Sequence, residues 1–560
     1  MKHTSFLIQI TNLAGEAFFT YNDVMIQTTI ESGEHETLSL RAKWLKLSGY
    51  GALWLTSATF ATKLIGVLQK IPLQNLAGDA AFGIYNIVYP IYQLMMALAI
   101  AGIPTALAFY VAQKNEKEQH NVLSIALVVI SGAAVLSCII GLLAAPWIAN
   151  LIGNDEVITS IRILTLALLF TPLLAVYRGY YQGKDDAKAS SISQLIEQCV
   201  RVACMLLLLW IGLSYNWSDS KLAAGVMFGS VIGAIAALLW FLVNHKGDKI
   251  VRVERKRIAT EGKLLFQMAL PTALAAIVVP MVAVVDAISI PRFMLGAGEQ
   301  VSFVMAEFGR YSRIQPLIQL VAMLLGAFAA GFIPNWVKQG KTALYGERLL
   351  LIHRLAWMIG AAAAVGLYQL ASPFNIMLYK DTESLMTFRI LSWTTLASSM
   401  LAVQAPLLQA AGVRRLPLYL LLIAAGSKAL LNYVFVPVWG IEGAAFAGNI
   451  ALFTPAIIGA LVLRRATKHI DAGMHRRAYS WLEALRVLAV TLLALVLMIL
   501  SINIVSELVR YIWPLGWNIR LYSTLESLLS VVVGALVFGL ILLVCKGITK
   551  TELKLLNNRD

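Results

Sequence analysis

The chain has 560 residues, with 45 Lys and Arg against 30 Asp and Glu and a formal net charge of +15. Hydrophobic residues make up 59% and charged residues 13%, and the mean hydropathy is +0.75. These values exclude an ordinary soluble domain, because water could not solvate so much apolar surface. Nucleic acid is excluded as a partner, since the densest basic segment, 245–263, contains no aromatic side chain that could stack on bases.

Residues 1–47 precede the first long apolar stretch. Their apolar run Phe6–Ile10 is too short for the core of a signal peptide. We expect a cytoplasmic extension without a stable fold, or a start codon assigned too far upstream, and we assign no function to it.

Fourteen apolar stretches of roughly 20 to 30 residues follow, separated by short polar loops. Each can cross the roughly 30 Å hydrocarbon layer as a helix, which satisfies its own backbone hydrogen bonds. The sequence therefore predicts an all-α polytopic membrane protein with about 14 transmembrane helices. The predicted spans are 48–69, 82–111, 121–149, 157–181, 188–213, 221–244, 264–294, 303–333, 348–372, 387–411, 415–437, 442–464, 480–506 and 522–545.

Positive charge alternates between the loops. Of the 45 Lys and Arg residues, 29 lie in or next to the segment before the first span, the even-numbered loops and the C-terminal tail. The odd-numbered loops hold six: Lys70, Lys221, Arg292, Lys380, Arg510 and Arg520. By the positive-inside rule, both termini are predicted to be cytoplasmic. The basic loop 245–263 is interpreted as a topology determinant that also contacts anionic membrane lipids.

No pattern typical of an enzyme or a metal site is present. The four cysteines lie in predicted spans without CxxC spacing and are expected to be small core residues. The histidines show no ligand spacing, and no GxxxxGK[ST] phosphate loop occurs. We predict a protein that is not an enzyme and holds no metal or cofactor.

Charged residues inside the spans are costly unless they are paired or hydrated. Arg162, Arg178, Arg389 and Arg486 lie near span ends, where they are expected to extend towards the interface. Glu197 and Arg201 are four residues apart on one helix face, which favours mutual neutralisation.

Four further basic residues are harder to explain structurally. Lys63, Arg313 and Lys428 lie a turn or more inside their spans without an adjacent carboxylate, and Arg310 lies one turn before Arg313. Facing a hydrated cavity, they would bind an anion, and a phosphate-bearing substrate fits best. The alternative is that they form buried ion pairs.

Asp286 lies deep in the seventh span, after Pro271 and Pro280 and just before Pro291. These prolines predict a kinked or broken helix, which is typical of transporter sites. The carboxylate could bind a coupling cation or a proton, or it could pair with Lys428 or an arginine. Prolines and glycines in the other spans also favour a transporter that changes conformation.

Two motifs indicate a family. The sequences Arg178-Gly179-Tyr180-Tyr181-Gln182-Gly183 and Gln194-Leu195-Ile196-Glu197-Gln198-Cys199-Val200-Arg201 resemble the RGxxQG and QxxEQxxR pattern of bacterial polysaccharide-export proteins. The chain resembles the branch of these proteins that contains the stage V sporulation protein B group and the lipid II flippases. This branch belongs to the multidrug/oligosaccharidyl-lipid/polysaccharide (MOP) exporter superfamily. Further matches are Thr62-Lys63-Leu64-Ile65-Gly66, Gly412, and Leu431-Asn432-Tyr433-Val434-Phe435-Val436-Pro437 with Gly440-Ile441-Glu442-Gly443-Ala444-Ala445.

The resemblance implies two six-helix lobes, 48–244 and 264–464, joined by the linker 245–263. A C-terminal helix pair, 480–545, and a cytoplasmic tail, 546–560, complete this arrangement. The implied function is movement of polyprenyl-pyrophosphate-linked sugars across the bacterial cytoplasmic membrane by alternating access. Lys63 and Arg313 match basic residues that line the cavity of lipid II flippases and would hold the pyrophosphate.

The chain departs from the lipid II flippase pattern at two positions. Gln69 stands where the family has a later first-span Arg, and the second span lacks an Arg in Gln93-Leu94-Met95-Met96. Some members bind sodium through a seventh-span Asp and eleventh-span polar residues. Asp286 and Asn432 match these, but Lys428 replaces a neutral ligand. Coupling to sodium or protons is a hypothesis. Identical labelling of a cysteine probe near Asp286 in sodium and in potassium would rule out coupling to sodium.

Two other functions compete with a flippase. A multidrug cation antiporter of the same superfamily should line its cavity with acidic or neutral residues, which the basic surplus argues against. A non-transporting scaffold for cell-wall or glycan synthases would tolerate neutralisation of Lys63 and Arg313.

Overall fold

The computed structural model describes residues 54–55, 57–100, 102–244, 250–338, 345–470, 481–513, 518–549 and 552. The expectation for residues 1–47 therefore lies outside the described residues. The chain divides into two compact units, Met1–Arg292 and Phe293–Asp560. The predicted boundary, the linker 245–263, lies earlier in the chain, and helix resumes within it at Arg255.

The first unit is built from eight α-helices and one 3₁₀ turn in the described residues. The helices are α1 (57–68), α2 (Lys70–Ile100), α3 (Ile103–Ala112), α4 (Glu116–Ile152), α5 (Ile158–Gly183), α6 (Ala187–Ser214), α7 (Asp219–Asn244) and α8 (Arg255–Gly296), with the 3₁₀ turn at Asp155–Val157. Helix α8 ends four residues beyond the unit boundary.

The described part of the second unit continues with nine further helices. They are α9 (Val301–Ser312), α10 (Gln315–Lys338), α11 (Tyr345–Gln369), α12 (Ala371–Tyr379), α13 (Leu385–Ser392), α14 (Thr394–Ala410), α15 (Leu416–Ile470), α16 (Trp481–Ile512) and α17 (Ile519–Val544). Over the residues that the structure describes, each of the fourteen predicted spans coincides with one of these helices, with a pair of them, or with one limb of α15.

Local sequence explains where several helices begin and end. Asn115 caps α4 by accepting a hydrogen bond from the Glu118 backbone N–H at 3.0 Å, and Gly153 ends it with φ +85°. Asp186 caps α6 through the Ala189 backbone N–H. Within α15, Gly440 adopts φ +54°, ψ −133°, so the two predicted spans 415–437 and 442–464 meet at a glycine bend.

Four predicted spans are interrupted rather than continuous, the ninth of them at Leu370 between α11 and α12. The second breaks between α2 and α3, where Pro104 lies in the first turn of α3. The eighth breaks at Arg313 and Ile314, before Pro316 in the first turn of α10, and the tenth breaks at Trp393. Proline is tolerated in a first helical turn, because the backbone N–H groups there make no intrahelical hydrogen bond and proline therefore loses none.

Helix α8 contains prolines but, unlike these spans, is not interrupted. Its backbone is helical throughout Arg255–Gly296, so the predicted break at Pro271 and Pro280 is wrong, while the alternative of a kink stays a prediction. Inside a bundle of apolar helices, neighbouring groups can satisfy the backbone carbonyls that proline leaves open.

Each unit has its own core and a strongly apolar exterior. Tyr177, Phe241 and Tyr181 stack in the first unit, with ring centroids 5.4 and 5.2 Å apart, and Trp336 is fully buried in the second. Exposed apolar side chains include Leu143 at 76% and Leu536 at 68%. Ten helical stretches of the described residues are long and apolar enough to cross a membrane, and Ser57–Ala112 and Leu416–Lys468 each contain two predicted spans.

The cysteines are free thiols. Cys138 is buried, but Cys199 is exposed on α6. The prediction that all four are core residues is therefore wrong for Cys199, which lies on the outward face of its helix.

Candidate functional site

In the first unit, a single carboxylate binds two arginines. Glu197 of α6 accepts hydrogen bonds from Arg201 of the same helix and from Arg178 of α5, both at 2.8 Å. Arg178 also donates to Ser193 Oγ at 2.8 Å. The predicted pairing of Glu197 with Arg201 is present, but the expectation that Arg178 extends to the interface is wrong, because it completes this buried cluster.

The remaining residues of the RGxxQG motif hold α5 in place. A Cβ atom on Gly179 would lie 2.7 Å from the Pro104 carbonyl oxygen, and one on Gly183 would lie 2.7 Å from the Ala108 carbonyl oxygen. Only glycine permits this close approach of α5 to α3. Gln182 donates to Ser190 Oγ at 2.8 Å, which ties the end of α5 to the start of α6.

A polar chain connects α6 to the first two helices. Gln198 Nε2 donates to Gln69 Oε1 at 3.4 Å, and Gln69 Nε2 donates to Tyr85 Oη at 3.4 Å. Gln69 is therefore engaged by neutral groups. Lys63 lies on α1 with an exposed side chain.

In the second unit, Arg310 and Arg313 bind acidic residues from a distant loop. Arg313, 1% exposed, holds both oxygens of Asp381 at 2.6 and 2.8 Å. Arg310 binds Glu307 one turn earlier, at 2.5 Å, and also binds Glu383. The ion pair that the sequence left open as an alternative for Arg313 is therefore present, with a partner, Asp381, that lies 68 residues further along the chain.

Tyr379 and the turn between α12 and α13 support this network. The Tyr379 hydroxyl donates to the Arg313 carbonyl oxygen at 2.5 Å, and the Arg313 guanidinium lies 5.3 Å from the Tyr379 ring centroid. Lys380 and Ser384 have left-handed backbone conformations, with φ +68° and +52°. They turn the short segment between them so that both loop carboxylates meet the arginines.

The electrostatics of Asp381 follow from this geometry. Partial burial alone would raise its pKa, but the hydrogen bonds and charge of Arg313 outweigh that effect, so the pKa is lowered below its usual value. Asp381 is therefore ionised at neutral pH.

Lys428 lies fully buried in α15, 1% exposed. Its Nζ donates to the Ala444 carbonyl oxygen at 2.8 Å and to the Tyr311 hydroxyl at 3.2 Å. A Cβ atom on Gly448 would lie 2.9 Å from Nζ, so glycine leaves room for the ammonium. Lys428 is thus attached through Tyr311 to α9, the helix that carries Arg310 and ends just before Arg313.

The other two predicted site residues belong to different units. Asp286 is half-buried in α8 of the first unit, and Asn432 is fully buried in α15 of the second. The binding roles assigned to them, and to Lys63, Arg310, Arg313 and Lys428, stay predictions.

Asp381, Glu383 and Tyr379 were not among the predicted site residues. The available signal was the pair of acidic residues in the loop after the ninth span, but no spacing rule connects that loop to Arg313.

The sequence profile of a family described as polysaccharide biosynthesis protein matches residues 48–338. The chain belongs to this family. Its curated relatives from Bacillus subtilis include the uncharacterized membrane protein YabM, 26% identical over 514 residues, covering 90% of this chain and 93% of YabM. The lipid II flippase MurJ is 24% identical over 533 residues, covering 88% and 94%. Stage V sporulation protein B is 24% identical over 419 residues, covering 71% and 80%.

Solved structures show the same fold for this polysaccharide biosynthesis protein. An inward closed lipid II flippase MurJ matches with a TM-score of 0.64 and 15% identity, covering 87% of this chain and 98% of that one. An inward-facing MATE-family multidrug transporter of the MOP superfamily matches with a TM-score of 0.57 and 16% identity, covering 74% and 96%. The predicted family and the all-α, multi-pass MOP-type fold are confirmed.

Proposed function

We propose that the protein is a flippase that moves a polyprenyl-pyrophosphate-linked cell-wall or surface-polysaccharide intermediate across the bacterial cytoplasmic membrane by alternating access. Relatives named as a lipid II flippase and a sporulation protein support this class. The same proposal places both termini in the cytoplasm and includes anionic lipids and cell-wall synthases as partners. It assigns no enzymatic reaction to the chain.

The observation that carries the proposal is the arginine pair of the second unit. Arg310 and Arg313 lie inside Val301–Ile333, a stretch apolar enough to cross a membrane. Two guanidiniums on adjacent turns match the paired phosphates of a pyrophosphate, since each can bind an oxyanion through two parallel hydrogen bonds.

The loop carboxylates would act as replaceable partners for the arginines. The Arg313 side chain is 1% exposed, whereas the Asp381 and Glu383 side chains are 36% and 58% exposed. A substrate pyrophosphate could take the places of the two carboxylates, which would return to water. Exchange of anion for anion avoids leaving a buried guanidinium unpaired, which would cost about 3–5 kcal/mol.

This arrangement disfavours the two alternatives. A multidrug cation antiporter needs a site that attracts cations, whereas the buried basic residues Arg313 and Lys428 favour anions. The likeness to the MATE-family transporter is one of fold and does not indicate which substrate is moved. A scaffold for glycan synthases would have no need for exchangeable partners on buried arginines.

The test is replacement of a depleted lipid II flippase in living cells, with outer-leaflet lipid II assayed directly. We expect the wild type to rescue and Lys63→Ala/Arg313→Ala to fail. The matched control, Arg464→Ala/Arg465→Ala, removes two exposed basic residues that lie outside the proposed site, so it should retain rescue.

Rescue by Lys63→Ala/Arg313→Ala at normal membrane expression would contradict the cation mechanism. Failure of a well-expressed wild type would exclude lipid II and direct the same assay to another polyprenyl-linked glycan.

Energy coupling through Asp286 and Asn432 is a separate hypothesis within this proposal. A seventh-span carboxylate and an eleventh-span amide are suitable oxygen donors for a sodium ion, and the carboxylate alone could carry a proton. Lys428, on the same helix as Asn432, has the charge to oppose sodium binding.

A further inference from the structure

The first unit contains an apolar cavity of about 350 Å³ that the proposed transport function does not use. Small residues of four helices create it, and Ser137 carries the one polar side chain among the lining residues. Representative lining residues are Ala106 of α3, Ala133 and Ala134 of α4, Pro172 of α5, and Gly262 and Ala269 of α8. The volume is more than twice that of the roughly 150 Å³ apolar cavity that admits a benzene ring.

The cavity has the length of one acyl chain. Its lining on α8 runs from Gly262 to Ala273, which corresponds to about 16 Å at 1.5 Å per residue. That distance is close to half of the roughly 30 Å hydrocarbon layer. The cavity is also open on one side, since the lining residues Phe266, Leu98 and Ile140 are 61%, 57% and 55% exposed.

Positive charge adjoins the Gly262 end. Lys256 and Lys263 are exposed and lie two helical turns apart on one face of α8. Lys263 also precedes the lining residue Phe266 by one turn. Arg257 is instead bound to Glu261 at 2.5 Å, so it contributes less to the positive charge at this end of the cavity.

We propose that this cavity and the two lysines form a binding site for an anionic glycerophospholipid. One acyl chain fills the cavity, and the phosphate of the headgroup lies between Lys256 and Lys263. Charge complementarity selects the anionic headgroup, and the cavity length selects a chain from the leaflet that these lysines face. The site is formed by the first unit and does not involve Arg310 or Arg313.

The test is native mass spectrometry of the purified full-length protein with phosphatidylglycerol or phosphatidylcholine of equal chain length. Ala133→Trp fills the cavity, and Val135→Trp, two residues away and exposed outside the cavity, is its control. We expect Ala133→Trp to lower phosphatidylglycerol retention by at least about tenfold, because the acyl chain loses its burial. Val135→Trp should not change retention.

Headgroup selection is tested with Lys256→Gln/Lys263→Gln. Each basic residue near an anionic lipid is worth about a fivefold preference, so the pair should reduce the preference for phosphatidylglycerol by about 25-fold. Arg464→Gln/Arg465→Gln, exposed basic residues of the second unit, should leave it unchanged.

Equal phosphatidylglycerol retention by Ala133→Trp and Val135→Trp would overturn the proposal, as would an undiminished preference in the lysine variant. Loss of polyprenyl-phosphate binding in Ala133→Trp with normal phosphatidylglycerol binding would assign the cavity to an isoprenoid chain instead.

Discussion

At the scale of single residues, the buried charges are distinguished by where their partners come from. Arg201 finds Glu197 on its own helix, four residues away, and that pairing follows from helical spacing. Arg313 finds Asp381 in a loop, where only tertiary structure could bring it. Sequence therefore placed Arg313 and Lys428 inside spans, where both are buried, but the side chain of Lys63 is exposed. It could not identify the partner of Arg313.

The Arg313–Asp381 pair should contribute measurably to stability. Asp381→Asn removes the negative charge from a buried guanidinium, and we expect a loss of about 1–3 kcal/mol, reduced from a fully buried pair because Asp381 is partly exposed. Thermal unfolding of the purified protein measures this loss. Glu299→Gln, at an exposed acidic residue of the same unit, is the control and should be neutral.

The same pair predicts a pH dependence. Because the pKa of Asp381 is lowered in the folded state, its contribution is fully present above the usual value of about 3.9 and is lost as pH falls through the folded value. The stability difference between wild type and Asp381→Asn should stay constant from pH 8 to about 5 and shrink below about 4. A difference that vanished near pH 6 would contradict the assigned ionisation.

At the scale of helices, the length of the apolar stretches predicted the spans, but the positions of the prolines did not predict where helices break. In their described residues all fourteen spans coincide with helices, because hydrophobic length is a property of local sequence. The breaks depend on tertiary context: Pro104 and Pro316 lie in first turns, while α8 remains helical past Pro271 and Pro280.

Gly440 provides a test of the bend in α15. A Cβ at this position would meet no atom within 4 Å, so Gly440→Ala should cost about 1–3 kcal/mol from backbone strain alone. Gly426→Ala in the same helix also has open space and a helical backbone, and should be neutral or stabilising by up to about 1 kcal/mol. Equal unfolding temperatures for the two variants would show that the bend is not strained.

At the scale of the whole molecule, the alternation of loop charge makes an orientation prediction. In a variant without native cysteines, Lys256→Cys should react with a membrane-impermeant maleimide only after the cells are opened. Glu299→Cys should react in intact cells. Both residues are exposed, so access to the reagent depends on membrane sidedness alone. The reverse pattern would invert the proposed topology.

The cluster of Glu197 with Arg178 and Arg201 has one further consequence. One ionised carboxylate between two guanidiniums leaves a net charge of +1, held among apolar helices. Moving one elementary charge through the full membrane potential is worth about 2.3 kcal/mol per 100 mV. Any rearrangement that carries this cluster through part of that field would be biased by voltage, so an energised membrane would favour one conformation of the protein without any coupling ion being bound.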